Sequence, residues 1–185
     1  MTDSILGASP QEINMLVVID TDFVKKYHSK PSQRIDKPTA IIHYGVYMIC
    51  TGSRGIIAGQ GSDHLNLRAN PGDLASFSAV GSHNNSDDAA IIYDIQHLKK
   101  DQIFNRFAPN IVTRKNAVMP NEDSSSQNGM PPVQTKLSFS NCDSKVRNSG
   151  TEDLEVRFAL YGLSADGQSQ DLFGYFSWDP TITIY

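Results

Sequence analysis

The sequence has no long apolar run and no cluster of basic residues. Its 185 residues include 16 Lys and Arg against 20 Asp and Glu, which gives a net charge of −4. Binding to a nucleic-acid backbone needs Lys and Arg gathered on one surface, so nucleic acid is not an expected partner. No stretch approaches the roughly 20 apolar residues of a transmembrane helix, so no membrane span is expected either.

The N-terminal stretch also lacks the features of a secretory signal. No Lys or Arg precedes the short apolar run MLVVI at residues 15–19. A signal peptide needs a positive start and a longer apolar core. We therefore expect a cytoplasmic protein, with release by a non-classical route left open.

Cysteine is scarce, and the common catalytic motifs are missing. Cys50 and Cys142 are the only cysteines, and each lies in a strand-like context outside any nucleophile motif. Two reduced, packed thiols are expected, with a disulfide as the alternative. The chain has no G-x-S-x-G, no H-E-x-x-H and no P-loop, and its five histidines show no metal-ligand spacing. These patterns indicate a protein that is not an enzyme.

Helical periodicity is nearly absent, and short β-type runs replace it. Residues 154–163 alternate strictly, with Leu154, Val156 and Phe158 on one face. Residues 13–20 are nearly all apolar, which is typical of a strand covered on both faces. The runs predicted as strands are 13–20, 40–51, 54–61, 64–70, 72–80, 89–97, 135–141, 154–163 and 171–179. Eight to ten strands separated by turns predict one all-β domain over 1–185, an antiparallel, jelly-roll-like β-sandwich.

Two short helices and two loose segments complete the prediction. A helix is expected within 20–28, with Asp20 or Thr21 as its N-cap, and another at 98–107, ended by Ala-Pro. Residues 1–12 are expected to be a loose N-terminus. The polar stretch NEDSSSQNGMPP at 121–132 is expected to be a mobile loop.

The chain ends in FGYFSWDPTITIY, residues 173–185, which is unusually apolar for a terminus. We expect it to return antiparallel to 154–163 and to anchor the terminus in a sheet. The alternative is that its aromatic rings stack on a ligand. The last piece, TITIY, is predicted to be edge material that pairs between copies of the chain.

Carboxylates and amides gather in the turn SHNNSDD. It carries Asn84, Asn85, Asp87 and Asp88, and Asp63 and His64 stand in another turn. Calcium binds several carboxylate and carbonyl oxygens, often from one loop, although the EF-hand pattern is absent here. The turn is either a plain polar hairpin tip or a loop that contacts calcium or a sugar. Calcium is the only cofactor that the sequence suggests, and these six residues are the candidate ligand contacts.

Several stretches resemble the AidA/PixA inclusion-body protein family. They are MLVVIDTD, the long run from DKPTAIIHYGVYMIC to NPGDLASF, NNSDDAAIIYDI, and the end VRFALYGLSADGQSQDLFGYFSWDPTITI. The resemblance covers about residues 13–184. It implies a small, cytoplasmic bacterial protein made late in growth under quorum-sensing or phase control. It also implies intracellular inclusions in some members, links to virulence or host association, and no catalytic residues.

Two functions therefore compete. The first is a non-enzymatic inclusion-body or host-association protein that forms homo-oligomers. Its five Met depart from the methionine-rich member of the family and argue against methionine storage. The second is a carbohydrate-binding β-sandwich with a glycan or host-surface ligand, because such folds present sugar sites on end loops. The stretch NPGDLASFSAVG loosely resembles a strand of calcium-dependent galactose-binding lectins. An enzyme is the least favoured alternative.

Overall fold

The computed structural model describes residues 9–41, 44–52, 54–99 and 102–185. Within these ranges it contains twelve strands and a single seven-residue helix, α1 (Thr21–Tyr27). The strands are β1 (Glu12–Ile19), β2 (Thr39–Ile41), β3 (Val46–Thr51), β4 (Ile56–Ala58), β5 (His64–Leu67), β6 (Leu74–Gly81), β7 (Ala89–His97), β8 (Ala108–Met119), β9 (Val133–Lys145), β10 (Gly150–Leu163), β11 (Gln170–Trp178) and β12 (Thr181–Ile184). None of the helical structure in the described ranges is long and apolar enough to cross a bilayer.

The strands form two sheets that pack as a sandwich, as predicted. The first sheet has the order β3-β1-β6-β9-β8. The second has the order β2-β11-β10-β12-β5-β4, and β7 pairs with the other edge of β10. Most pairs are antiparallel, but β1 with β6, β2 with β11 and β5 with β12 are parallel. The sequence did not reveal these parallel pairs, because they join strands far apart in the chain.

The core lies between the sheets and is supplied by alternate residues. Leu154, Val156 and Phe158 on β10 are fully buried, which confirms the period-two prediction. The rings of Phe158 and Phe176 stack across β10 and β11 at 5.6 Å. Strand β1 differs from its prediction, because only its core face is buried. Its other face, with Leu16, is only half-buried, so the apolar run does not mean cover on both sides.

The C-terminal segment is anchored, but it is not an edge. Ile182 and Ile184 are buried, and β12 lies between β10 and β5. The expected anchoring is therefore confirmed. The expectation that TITIY could pair between copies is wrong, because both edges of β12 already have partners within the chain.

One predicted helix is present and the other is not. In α1 the Asp20 carboxylate accepts the Phe23 N–H at 3.0 Å, as expected of an N-cap. The described part of 98–107 is irregular, and residues 100–101 lie outside the described ranges. Its backbone N–H groups bind distant acceptors instead, because Ile103 donates to a Glu152 carboxylate oxygen at 2.8 Å. Ile103 and Phe104 are both buried by this arrangement.

The long strand predicted at 40–51 is two strands in different sheets. They are β2 and β3, and residues 42–43 between them lie outside the described ranges. Gly45 has φ +82°, a conformation that glycine adopts without strain. Its carbonyl accepts the Asp20 N–H at 2.7 Å, which ties the turn to the start of α1.

A long hairpin extends from one edge of the first sheet. Strand β8 pairs with β9 from Ala108↔Asp143 to Met119↔Val133, whereas β6 holds β9 only at 142–145. We call residues 108–119 and 133–141 the β-ribbon. The connecting loop folds on itself, with Gly129 N–H donating to Ser124 Oγ at 3.0 Å, and its mobility stays a prediction. The loose N-terminus also stays one: residues 1–8 are outside the described ranges, and β1 already begins at Glu12.

Candidate functional site

The loop at 81–88 joins β6 to β7 and is closed by one asparagine side chain. Asn85 Oδ1 accepts the backbone N–H of Gly81 at 2.8 Å and of Ala90 at 3.1 Å. Asn84 and Asn85 both have positive φ, at 53° and 60°, which Asn tolerates better than most residues. The carboxamide oxygen of Asn85 therefore serves the turn itself.

A second side chain, on β11 of the second sheet, holds this loop in place. Gln170 Nε2, at the start of β11, donates to the carbonyl oxygens of Asn85, Ser86 and Asp87 at 3.1, 2.7 and 3.2 Å. Because one amide group contacts three carbonyl oxygens, the loop is fixed beside the end of β10 and the start of β11.

Helix α1 lies against the same loop. Its first residue, Thr21, is fully buried, and its hydroxyl is 3.2 Å from Ser82 Oγ. Asp22 and Lys25 stand three residues apart, so they share one face of the helix. That face points at the loop, because Lys25 Nζ reaches Asp88 Oδ2 at 2.5 Å.

Asp88 is the buried charge at the centre of this arrangement. The residue is 1 % exposed. Lys25 Nζ and Asp88 Oδ2 form an ion pair, but their geometry is not that of a hydrogen bond. His83 Nδ1 lies 3.5 Å from the same carboxylate oxygen. Burial alone would raise the pKa of Asp88, but Lys25 and Thr21 together lower it below the ordinary value. The carboxylate is therefore ionised at neutral pH.

Three of these side chains lie close enough together to act as ligands of one metal ion. Asp22, His83 and Asp88 offer ligand atoms within 4.8 Å of one another. The Lys25 ammonium lies 2.5 Å from Asp88 and 3.9 Å from Asp22, so it already balances one of the two negative charges, chiefly that of Asp88. Calcium prefers six to eight oxygen ligands, whereas this set includes an imidazole. A calcium ion here would have to displace Lys25 and draw further oxygens from ligand or water.

A pocket of about 450 Å³ opens above this cluster. The loop, α1 and the ends of β10 and β11 line it with Asp22, Lys25, His83, Asp87, Asp88, Gly162, Leu163, Ser164, Asp171, Leu172 and Phe173. Four carboxylates face two basic side chains, with Leu163 and Leu172 as apolar wall. The lining suits a ligand rich in hydroxyl groups or a cation, because carboxylate oxygens only accept hydrogen bonds.

The six residues predicted as ligand contacts do not form one site. Asp87 and Asp88 line the pocket, whereas Asn84 and Asn85 shape the turn beneath it. Asp63 and His64 pair with each other at 2.6 Å in a different turn.

The second turn lies at the opposite end of β10. The Asp63 carbonyl accepts the Thr181 N–H, and Thr181 pairs with Asp153. The loop at 81–88 leads into Ala89, which pairs with Tyr161. Eight residues of strand, at about 3.3 Å each, separate the two turns by roughly 26 Å. Any ligand of the pocket is therefore out of reach of Asp63 and His64.

Sequence reasoning missed Asp22, Lys25, His83 and Asp171. The three-residue spacing of Asp22 and Lys25 on a capped helix did indicate that the two side chains share one face of the helix. Nothing in the sequence, however, showed that this face would lie against the loop at 81–88.

Other buried ionisable groups hold the backbone together. Arg54 makes two hydrogen bonds to the Asp73 carboxylate, at 2.6 and 2.9 Å, and Asp73 also accepts the backbone N–H of Gln11 and Asn70. The Arg54 bond lowers the pKa of Asp73 to about 2. His97 Nδ1 lies 2.5 Å from Glu152 Oε1. These groups tie loops to strands.

The two thiols are buried and unpaired, which confirms the prediction of free, packed cysteines. Burial raises the pKa of Cys50 to about 11 and that of Cys142 to about 12. Because the thiolate is the reactive form, neither cysteine is suited to nucleophilic chemistry at neutral pH.

Comparison with known proteins gives a family and a fold. The PixA inclusion body protein family matches residues 11–184. The crystal structure of an inclusion body protein of that family, from Burkholderia cenocepacia J2315, superimposes with a TM-score of 0.81 at 30 % sequence identity. The match covers 97 % of this chain and 99 % of that one. No curated protein matches the sequence.

Proposed function

The chain belongs to the PixA inclusion body protein family, and from this premise we propose that it is a non-enzymatic protein that associates with copies of itself and accumulates inside the bacterial cell. Production late in growth and a part in host association belong to the same proposal, on the strength of the family resemblance alone. The inert thiols favour a role other than catalysis.

The observation that carries the proposal is the β-ribbon. Its strands pair with each other, and most of their side chains are exposed on both faces. Exposed apolar residues on one face of the ribbon include Met119, Val133 and Phe139. A long ribbon with exposed apolar side chains and an open edge favours pairing between chains, since folded proteins usually shield such surfaces.

Sedimentation of the purified full chain over a thousandfold concentration range tests association. We expect the mean mass to rise with concentration. Electron microscopy of cells that express the chain late in growth should show dense bodies that immunogold labelling identifies. A monomer at every concentration, together with evenly dispersed label, would contradict the proposal.

A second candidate function is glycan binding at the pocket beside the loop at 81–88. The observation that favours it is the lining, which combines the carboxylates of Asp87 and Asp171 with the apolar side chains of Leu163 and Leu172. Neighbouring carboxylates can accept hydrogen bonds from vicinal hydroxyls, and a sugar face packs on apolar side chains. The calcium that the sequence suggested belongs with this candidate.

A glycan array, with calcium and with a chelator, tests this candidate. We expect Asp87→Ala and Asp171→Ala to abolish any saturable signal and Glu122→Ala, in the loop of the ribbon, to keep it. Asp88→Ala is a poor probe because it leaves Lys25 without its buried partner. A blank array, or a signal that survives both pocket variants, would remove this function.

A further inference from the structure

The strand register divides the side chains of the β-ribbon between two faces, and six apolar residues share one of these faces. Cross-strand partners share a face, and the pairs Val112↔Phe139, Arg114↔Leu137, Ala117↔Thr135 and Met119↔Val133 lie on the same side of the ribbon. A bulge lies between Arg114 and Ala117, where residues 115–116 of β8 oppose the single residue 136 of β9. Arg114 and Ala117 therefore still point to the same side of the ribbon. We call the apolar members the ribbon stripe: Val112, Ala117, Met119, Val133, Leu137 and Phe139.

The ribbon stripe lies on the outward side of the first sheet. At the base of the ribbon, Cys142 and Ser144 point into the core, so Asp143 and the residues two apart from it point outward. In the described ranges the ribbon strands have only each other as partners beyond Cys142. Phe139 is 48 % exposed and Val133 41 %. A two-stranded ribbon is marginally stable alone in water, so it needs packing on one face.

The same sheet carries a second exposed apolar surface on its outward side. Leu16 pairs with Ile49, and Val18 pairs with Tyr47 and Val80. These five side chains alternate with buried core residues, and Tyr47 and Ile49 are 40 % and 47 % exposed. We call them the outer patch. The ribbon stripe and the outer patch face the same way, so the ribbon cannot fold onto the patch of its own chain.

The ribbon strands and the remainder of the chain have net charges of opposite sign. The ribbon strands carry Arg114, Lys115 and Lys136 and no acidic residue. Because the chain has a net charge of −4, removal of these three positive charges leaves −7 on the remainder. The positive ribbon of one copy is therefore attracted to the negative remainder of another copy. A second copy of the chain thus meets the requirement for an acidic partner.

We propose that two copies exchange ribbons, so that the ribbon stripe of each lies on the outer patch of the other. This contact is isologous and closes a dimer with two-fold symmetry. Ten residues of ribbon, about 33 Å long and about 10 Å wide, cover roughly 330 Å² on each side of each contact. Two such contacts bury about 1,300 Å² in total, which reaches the range of specific interfaces. The proposal rests on the self-association proposed above and names the surface that performs it.

Charge substitutions on the two faces of the ribbon give the first test. Phe139→Asp, on the ribbon stripe, should weaken dimerisation at least tenfold in sedimentation at fixed salt. Ile111→Asp is the matched control, since Ile111 is 71 % exposed on the opposite face. It should leave the dimer within twofold. Equal losses in both variants would overturn the assignment of the face.

Disulfide trapping gives a second test that does not depend on destabilising the ribbon. A Phe139→Cys chain is mixed with an Ile49→Cys chain and oxidised. A cross-linked heterodimer should form with this pair. It should not form when the second chain is Ile57→Cys, at an equally exposed position on the other sheet.

The outcomes separate the two proposals. A wild-type chain that stays monomeric overturns both self-association and ribbon exchange. A wild-type oligomer that survives Phe139→Asp, with no cross-link between positions 139 and 49, overturns ribbon exchange and leaves self-association standing. Loss of the oligomer in Phe139→Asp alone, with the cross-link, supports both.

Discussion

Strand β10 and the β-ribbon are both long, alternating β-structures, but they stand in opposite surroundings. Every second side chain of β10 is fully buried from Leu154 to Leu160, and β10 has partner strands along both edges. The ribbon strand β8 has a partner along one edge and exposes nearly all its side chains. One element derives its stability from the core, whereas the other must derive it from its own pairing or from a second molecule.

The comparison shows what alternation can and cannot say. Period-two patterning fixes which residues share a face in both elements. It does not say what covers that face. Phe158 and Phe139 are the same residue type on equivalent patterns, and the first is fully buried while the second is half-exposed.

The largest expected effect separates these two phenylalanines. Phe158→Ala removes a ring that stacks on Phe176 and leaves a cavity between the sheets. We expect the free energy of unfolding to fall by about 4 kcal/mol. Urea denaturation followed by fluorescence of Trp178 would measure it. A loss below about 1 kcal/mol would mean that the core closes around the gap.

The next effect concerns a buried charge at the edge of the sandwich. Asp73→Asn keeps the shape but breaks the ion pair with Arg54, at a cost of about 3 kcal/mol near neutral pH. The hydrogen bond from Arg54 sets the pKa of Asp73 at about 2, below its ordinary value. A depressed pKa stabilises the fold above the ordinary value and loses that contribution as pH falls from about 4 to about 2.

The difference in unfolding free energy between wild type and Asp73→Asn should therefore be full at pH 6 and shrink towards pH 2. Urea titrations at several pH values would show this convergence. Asp36→Asn, in the exposed pair with Arg34, is the control and should change little at any pH. A pH-independent difference at Asp73 would contradict the pKa assignment.

A smaller effect is expected in the loop at 81–88. Asn85→Ala loses two hydrogen bonds and forces alanine to a φ near 60°, which together cost about 2 kcal/mol. Asn85→Gly loses the same bonds without the strain and should cost about 1 kcal/mol. Thermal unfolding of both variants would rank them. If the two variants were equally unstable, backbone strain would have no part in the role of Asn85.

Much of this architecture could be predicted from the sequence, because local signals carried it. Alternation identified β10, and the cap at Asp20 identified α1. The helix expected at 98–107 failed because its backbone N–H groups bind Glu152, which is about 50 positions away in the chain. TITIY was predicted to be an edge strand because nothing nearby in the sequence indicates its partner β5, which is separated from it by more than 100 residues.

The candidate site was predictable only in part, for the same reason. The loop at 81–88 was visible as a polar cluster, but its two asparagines turned out to build the turn. Lys25 neutralises Asp88 only because α1 docks on the loop, a tertiary contact without a local signature. The ribbon strand β8 escaped notice because Pro109 and three polar residues in a row, Arg114 to Asn116, interrupt its apolar pattern.

The smallest expected effect returns to the ribbon. Phe139→Ala removes a ring of the same size as that of Phe158, but from a half-exposed position. At protein concentrations low enough to keep the chain monomeric, the free energy of unfolding should change by less than about 0.5 kcal/mol. At concentrations where copies associate, the wild type should gain stability by mass action and the variant should gain less. The unfolding midpoints of the two proteins should therefore coincide when dilute and diverge when concentrated. A difference that is already full in dilute solution would mean that the ribbon packs on its own sandwich, and the contrast with β10 would disappear.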